Sequence, residues 1–160
     1  MPAAAHPADS ATPHRVRAAL AGGPPLLPPD WPPGLPPPPG TAVAVATSGS
    51  TGRPKWVALS RAALAASAQA SASRLGGAGR WLLALPTAHI AGLNVVVRAV
   101  LAGGEPEALP PGPFTPAAFL RAAARLGPGP KFTALVPTQL RRLVRAAESG
   151  PGALAGLAQA

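Results

Sequence analysis

Residues 23 to 40 read GPPLLPPDWPPGLPPPPG, ten prolines in eighteen positions. Proline fixes φ and supplies no backbone donor, so this run enters neither a helix interior nor a central strand. It is expected to lie as extended, polyproline-like chain. It could serve as a ligand for a proline-binding module or as a connector packed over the surface of a domain. The connector is the favoured reading. The core must therefore come from outside the run. At 160 residues the chain is long enough for one ordinary domain with such a core.

Before the run, one short helix is expected around Arg15 to Ala21. After it the pattern turns globular. Thr41 to Ala46 alternates as a strand does, with Val43 and Val45 on one face. Trp56 to Leu59 reads as a second short strand. Ser60 is a good N-cap for a helix over Arg61 to Arg74, which Gly76 and Gly77 end. Trp81 to Leu85 reads as a buried strand, and Ala91 to Leu101 as a helix closed by Gly103 and Gly104. Thr115 followed by Pro116 starts a helix to Leu126. Lys131 to Val136 is another strand, and a last helix runs from about Thr138 to Glu148. GPGALAGLAQA follows and looks like the beginning of one more helix. Alternating strands and helices predict an α/β fold with a mixed or at least partly parallel sheet and flanking helices. Residues 1–40 form an N-terminal segment and connector, and 41–160 a partial domain.

Between the first two strands lies TSGSTGRPKWV, residues 47 to 57. Successive N–H groups in a glycine-rich turn make an anion-binding concavity. Gly49 and Gly52 permit close approach of a ligand. Thr47, Ser48, Ser50 and Thr51 add hydroxyls, and Lys55 adds a mobile positive charge suited to phosphate. The order differs from the common NTPase loop, because Arg53-Pro54-Lys55 follows Gly52. On composition alone, a phosphate cradle and a flexible Ser/Gly surface loop are equally good readings.

The net charge of +9 does not by itself point to nucleic acid. Arginines are scattered from Arg15 to Arg145, and only Arg141, Arg142 and Arg145 cluster, most simply as a solvated helix face. Tyrosine is absent and aromatics make up 4%, so there is no base-stacking platform. Ala, Gly, Pro and Arg share GC-rich codons, which accounts for the basic balance. With no cysteine, disulfides and thiolate sites are excluded. His6, His14 and His89 show no metal-ligand spacing. The N-terminus lacks the pattern of a secretory signal, and the most apolar later stretch is broken by His89, Asn94 and Arg98. A cytoplasmic protein without a membrane span is the expectation.

TSGSTGRPK closely resembles the phosphate loop of the adenylate-forming superfamily, the AMP-forming acyl-CoA ligases and their relatives. The match in Ser, Gly, Thr, Pro and Lys spacing is long and specific. It departs at Trp56, where the family usually has Gly. LPTAHIAGLNVVVRAVLAGG, residues 85 to 104, resembles the second family motif. FTALVPTQLRRLV, residues 132 to 144, resembles the segment leading into the acyl-binding half. HIAGLN and VPTQL are most similar to the o-succinylbenzoate–CoA ligase branch of menaquinone biosynthesis.

The resemblance implies that Thr47, Ser48, Gly49, Ser50, Thr51 and Gly52 surround the β- and γ-phosphates of ATP, with Lys55 holding or neutralising them. A carboxylate would attack the α-phosphorus and release pyrophosphate, and CoA would then displace AMP. His89 would contact the acid and gate access for CoA. Asn94 and Thr138 are pocket candidates that serve equally well as capping or packing residues. Family members also carry an adenine-binding segment, an acidic residue for Mg²⁺ and ribose, and a C-terminal domain with a catalytic lysine. No such segment is found here, so the chain is expected to be the N-terminal part of a ligase, inactive alone, with the Mg²⁺ ligands elsewhere.

Overall fold

The computed structural model describes residues 12–48 and 54–150. The segments 49–53 and 151–160, including the suggested last helix, lie outside the described residues. The elements in chain order are α1 (Thr12–Leu20), β1 (Thr41–Ser48), β2 (Pro54–Ser60), α2 (Arg61–Leu75), β3 (Arg80–Leu83), α3 (Ile90–Leu101), β4 (Glu107–Ala108), α4 (Pro116–Arg125), β5 (Lys131–Thr133) and α5 (Pro137–Glu148).

Local chemistry sets most boundaries. The Ser60 hydroxyl accepts the Ala63 N–H at 3.2 Å and opens α2. Gly76, at φ +81°, closes it by donating its N–H to the Ala72 carbonyl. Thr115 accepts the Ala118 N–H at 3.2 Å, and Pro116 takes the first helical position of α4. Strands β3 and β5 are shorter than their sequence pattern suggests. β4, with two residues after Pro106, is too short to leave a periodic signal.

The result is a mixed α/β structure with two sheets among the described residues. β1 and β2 form an antiparallel hairpin, pairing Ala46 with Trp56 and Thr47 with Lys55. β4, β3 and β5 form a parallel sheet in that order. The centre of that sheet is buried on both faces, so its side chains divide by parity. Trp81 and Leu83 join a core with Val16 and Ala19 of α1, Val43 and Val45 of β1, and Leu93 and Val96 of α3. Leu82 and Ala84 point into a second core with Phe119 and Ala122 of α4 and Leu143 of α5. Each fully buried leucine or valine stabilises the fold by about 1.5–3 kcal/mol. α3 is the helix most enclosed by the first core, and α2 buries only Leu64.

β1 differs from a one-sided strand. Ala42, Val43, Ala44 and Val45 are all buried. Part of the cover comes from the proline-rich run. The Leu26 N–H donates to the Ala42 carbonyl and the Ala44 N–H donates to Leu26, each at 2.9 Å. Leu26 thus adds a single parallel bridge beside Val43. Further along, Trp31 packs on Trp56 with ring centroids 5.6 Å apart and a 59° tilt. Trp31 Nε1 is satisfied by the Leu35 carbonyl at 2.8 Å. The run takes the form of a connector fastened to the hairpin. The Trp56 ring is directed onto that connector.

Candidate functional site

The antiparallel register brings Thr47 and Lys55 face to face at the neck of the hairpin. The Thr47 hydroxyl donates to the Lys55 carbonyl at 3.1 Å, closing the neck. Lys55 itself is exposed. Its side chain is therefore open to solvent at the start of β2. Of the phosphate-loop candidates, Gly49, Ser50, Thr51 and Gly52 lie outside the described residues. Ser48 is placed by its backbone pairing with Pro54.

His89 sits where β3 turns into α3. Its backbone is extended (φ −111°, ψ 149°) and it occupies the N-cap position. The backbone N–H donates to the Pro86 carbonyl at 3.3 Å, and its carbonyl accepts the Leu93 N–H at 3.0 Å. The imidazole makes no capping bond and is exposed. The main chain fixes the residue while the ring remains available. Gly92 explains how the turn is made so tight. A Cβ there would meet the Pro86 carbonyl and lie 2.7 Å from that of Leu85.

His89 and Thr87 line a cleft of about 560 Å³ floored by Ala44, Val45 and Ala46 of β1. That floor continues directly into Thr47. One strand therefore carries both the neck of the phosphate-loop candidate and the base of the His89 cleft. Asn94, on α3 and half-buried, and Thr138, exposed in the first turn of α5, are not on the cleft's lining. Thr138 shares with His89 a position at the carboxyl end of the parallel strands, the edge at which α/β sheets bind ligands. Gln139, beside it, donates to the Ala84 carbonyl at 2.8 Å. The sequence reading passed over Gln139. Its third-residue position behind Pro137 was the available signal. It also passed over Arg15 of α1, which lines the cleft and has no local signal at all.

Among the described residues, no three His, Asp or Glu side chains gather as a metal site would require. Glu107 pairs with Arg125 at 2.6 Å and Glu105 with Arg17 at 3.5 Å. Among the described residues these carboxylates do not fit a Mg²⁺ site. Arg141, Arg142 and Arg145 are exposed on α5, with Arg142 donating to the Phe114 carbonyl at 3.1 Å. No described helix is long and apolar enough to cross a membrane.

A family profile described as AMP-binding enzyme matches residues 5–158. The probable 2-succinylbenzoate–CoA ligase of Mycobacterium tuberculosis is 48% identical over 119 residues, which cover 74% of this chain and 30% of that relative. The chain thus spans less than a third of the relative's length. The o-succinylbenzoate CoA synthetase of Bacillus subtilis, solved with its acyl-adenylate intermediate OSB-AMP, is similar with a TM-score of 0.56 and 32% identity. That match covers 66% of this chain and 27% of the neighbour. A double mutant of the same enzyme, bound with the product analogue OSB-NCoA, is similar at TM-score 0.58 and 31% identity, covering 71% and 23%.

Proposed function

The chain belongs to the family of AMP-binding enzymes, and on that premise we propose that it is the phosphate-loop part of an o-succinylbenzoate–CoA ligase of menaquinone biosynthesis, working in the cytoplasm. In the first step a carboxylate oxygen of the acid attacks the α-phosphorus of ATP. The bond to the β-phosphate oxygen breaks, and pyrophosphate leaves. In the second step the CoA thiol attacks the acyl carbonyl, the bond to AMP breaks, and the thiol proton is lost.

Thr47, Ser48, Gly49, Ser50, Thr51 and Gly52 hold the departing phosphates, and Lys55 balances their charge. Such work is positioning and electrostatic stabilisation, with no covalent step at the protein. His89 contacts the acid from the cleft wall. Asn94 and Thr138, off the lining of that cleft, are the weaker candidates for contact with the acyl group. The reading rests on one observation above the others: β1 links the Thr47–Lys55 neck to the floor of the His89 cleft. Nucleotide and acid would then meet at the end of one strand. The relatives' names and bound molecules, OSB-AMP and OSB-NCoA, support the choice of acid and of CoA.

The test is acid-dependent pyrophosphate release by the ligase that contains this chain, across a panel of fatty, aryl and amino acids and o-succinylbenzoate. Release with o-succinylbenzoate in preference to the others is expected, and Lys55→Ala and His89→Ala should each lower it by about a hundredfold, the scale of losing one stabilising group. Preference for another acid would move the protein to a different AMP-forming ligase. ATP binding without turnover would leave only a nucleotide-binding module. Unchanged release in both variants would overturn the site.

A further inference from the structure

The His89 cleft has a second wall that the reaction above does not use. Arg15 of α1 and Asp30 of the connector border it, with Leu26 and Pro28 between them. Arg15 is the sole Lys or Arg on the lining among the described residues. Its side chain is exposed, but its helix is held firmly, because neighbouring Val16 and, one turn on, Ala19 are both buried in the first core. Arg15 thus stands on the cleft's lining from a backbone that the core holds in place. Asp30 faces the same space, and no ion pair joins the two among the described residues.

The cleft's volume of about 560 Å³ is within the roughly 300–1,000 Å³ usual for small-molecule sites. The floor and much of the wall are apolar: alanine, valine, leucine and proline. An acid entering with a single carboxylate needs no charge there once that group has reached the α-phosphorus of ATP. o-Succinylbenzoate is different, because it carries two carboxylates, one on the ring ortho to the keto group and one at the end of the succinyl chain. With one at the loop end of β1, the other is left in the cleft. A carboxylate removed from water onto an apolar surface requires a cationic partner. A planar guanidinium meets both of its oxygens at once, which a lysine cannot do.

We propose, resting on the ligase reading above, that Arg15 is a specificity residue that binds the carboxylate of the acid that is not activated. The helix that precedes the proline-rich run then has a direct role in substrate choice. The connector, pinned by Leu26 to β1, borders the same cleft.

The experiment measures dissociation constants for o-succinylbenzoate and for 4-oxo-4-phenylbutanoate, which lacks the ring carboxylate. The proteins are the ligase containing this chain and its Arg15→Gln and Arg15→Lys variants. Wild type is expected to prefer the dicarboxylate. Arg15→Gln should lose about ten- to a hundredfold of that preference, the scale of a hydrogen bond between charged groups, with ATP affinity unchanged. Arg15→Lys should restore part of it. Thermal unfolding of the variants serves as the folding control, since Arg15 is exposed. An intact preference in Arg15→Gln would overturn the role of Arg15 while leaving the ligase reading standing. If wild type forms no adenylate with o-succinylbenzoate, the ligase reading falls and Arg15 with it.

Discussion

The side-chain amide of Gln139 donates to the carbonyl of Ala84 at 2.8 Å while its oxygen accepts the Val136 N–H at 3.1 Å. One side chain thereby joins the start of α5 to the segment leaving β3. Ala84 belongs to the second core, and the turn that follows it carries His89. Thr138 is the neighbour of Gln139 in the same first turn. The two rims at the carboxyl edge of the parallel sheet are held in register by this contact.

Gln139→Ala should therefore cost more than a surface substitution. It strands a half-buried carbonyl and an N–H at a helix start, a loss of about 1–3 kcal/mol. Denaturant unfolding of the purified chain checks it. A midpoint equal to that of the parent would show that water replaces both bonds without penalty.

At Gly92, two effects oppose each other. Alanine in a helix is favoured over glycine by about 1 kcal/mol. Its Cβ, however, would collide with the carbonyl oxygens of Leu85 and Pro86, which are backbone and cannot swing aside. Forced overpacking costs about 1–3 kcal/mol, so collision should win. Gly92→Ala is expected to lower the melting temperature and to shift the His89 backbone amide resonance. A more stable variant would mean that the 85–89 turn gives way cheaply.

Arg98 lies over the Trp81 ring, 5.2 Å from its centroid, with its Nε buried and without a partner among the described residues. Burial lowers its pKa from the usual value. The unfolded chain therefore holds that proton more tightly, and the charge opposes folding at every pH below the folded-state pKa. The penalty is relieved only as pH rises through that value. The orphaned Nε costs about 1–3 kcal/mol, against about 0.5–1 kcal/mol gained over the ring. Arg98→Met should raise stability by about 1 kcal/mol, equally at pH 6 and pH 8. Thermal melts at the two pH values decide it, and a lower melting temperature would show that the stacking outweighs the orphaned nitrogen.

Trp56→Gly places the residue usual for the family after Lys55. It removes the partner of Trp31, a pair worth about 0.5–1.5 kcal/mol beyond its area. The expected outcome is a less stable chain whose connector is cleaved sooner by a protease acting between residues 31 and 40. Unaltered cleavage would show that Leu26 alone fastens the run.

Much of this molecule is readable locally. Ser60, Thr115 and Gly76 act on groups three or four residues away, so their caps follow from the order of residues, as does the alternation that makes β1 a strand. The phosphate-loop motif and its Thr and Lys spacing are visible in the same way. β3 was legible as buried, since a short apolar run between glycine and proline has few other uses. The strand order β4-β3-β5, the two-residue β4, the bridge from Leu26 to Val43 and the place of Arg15 on the cleft that His89 also lines were not. None of these is encoded by a local preference. Each joins segments far apart along the chain, and each forms only because burying both faces of β3 and β1 repays the entropy of closing the loops between them.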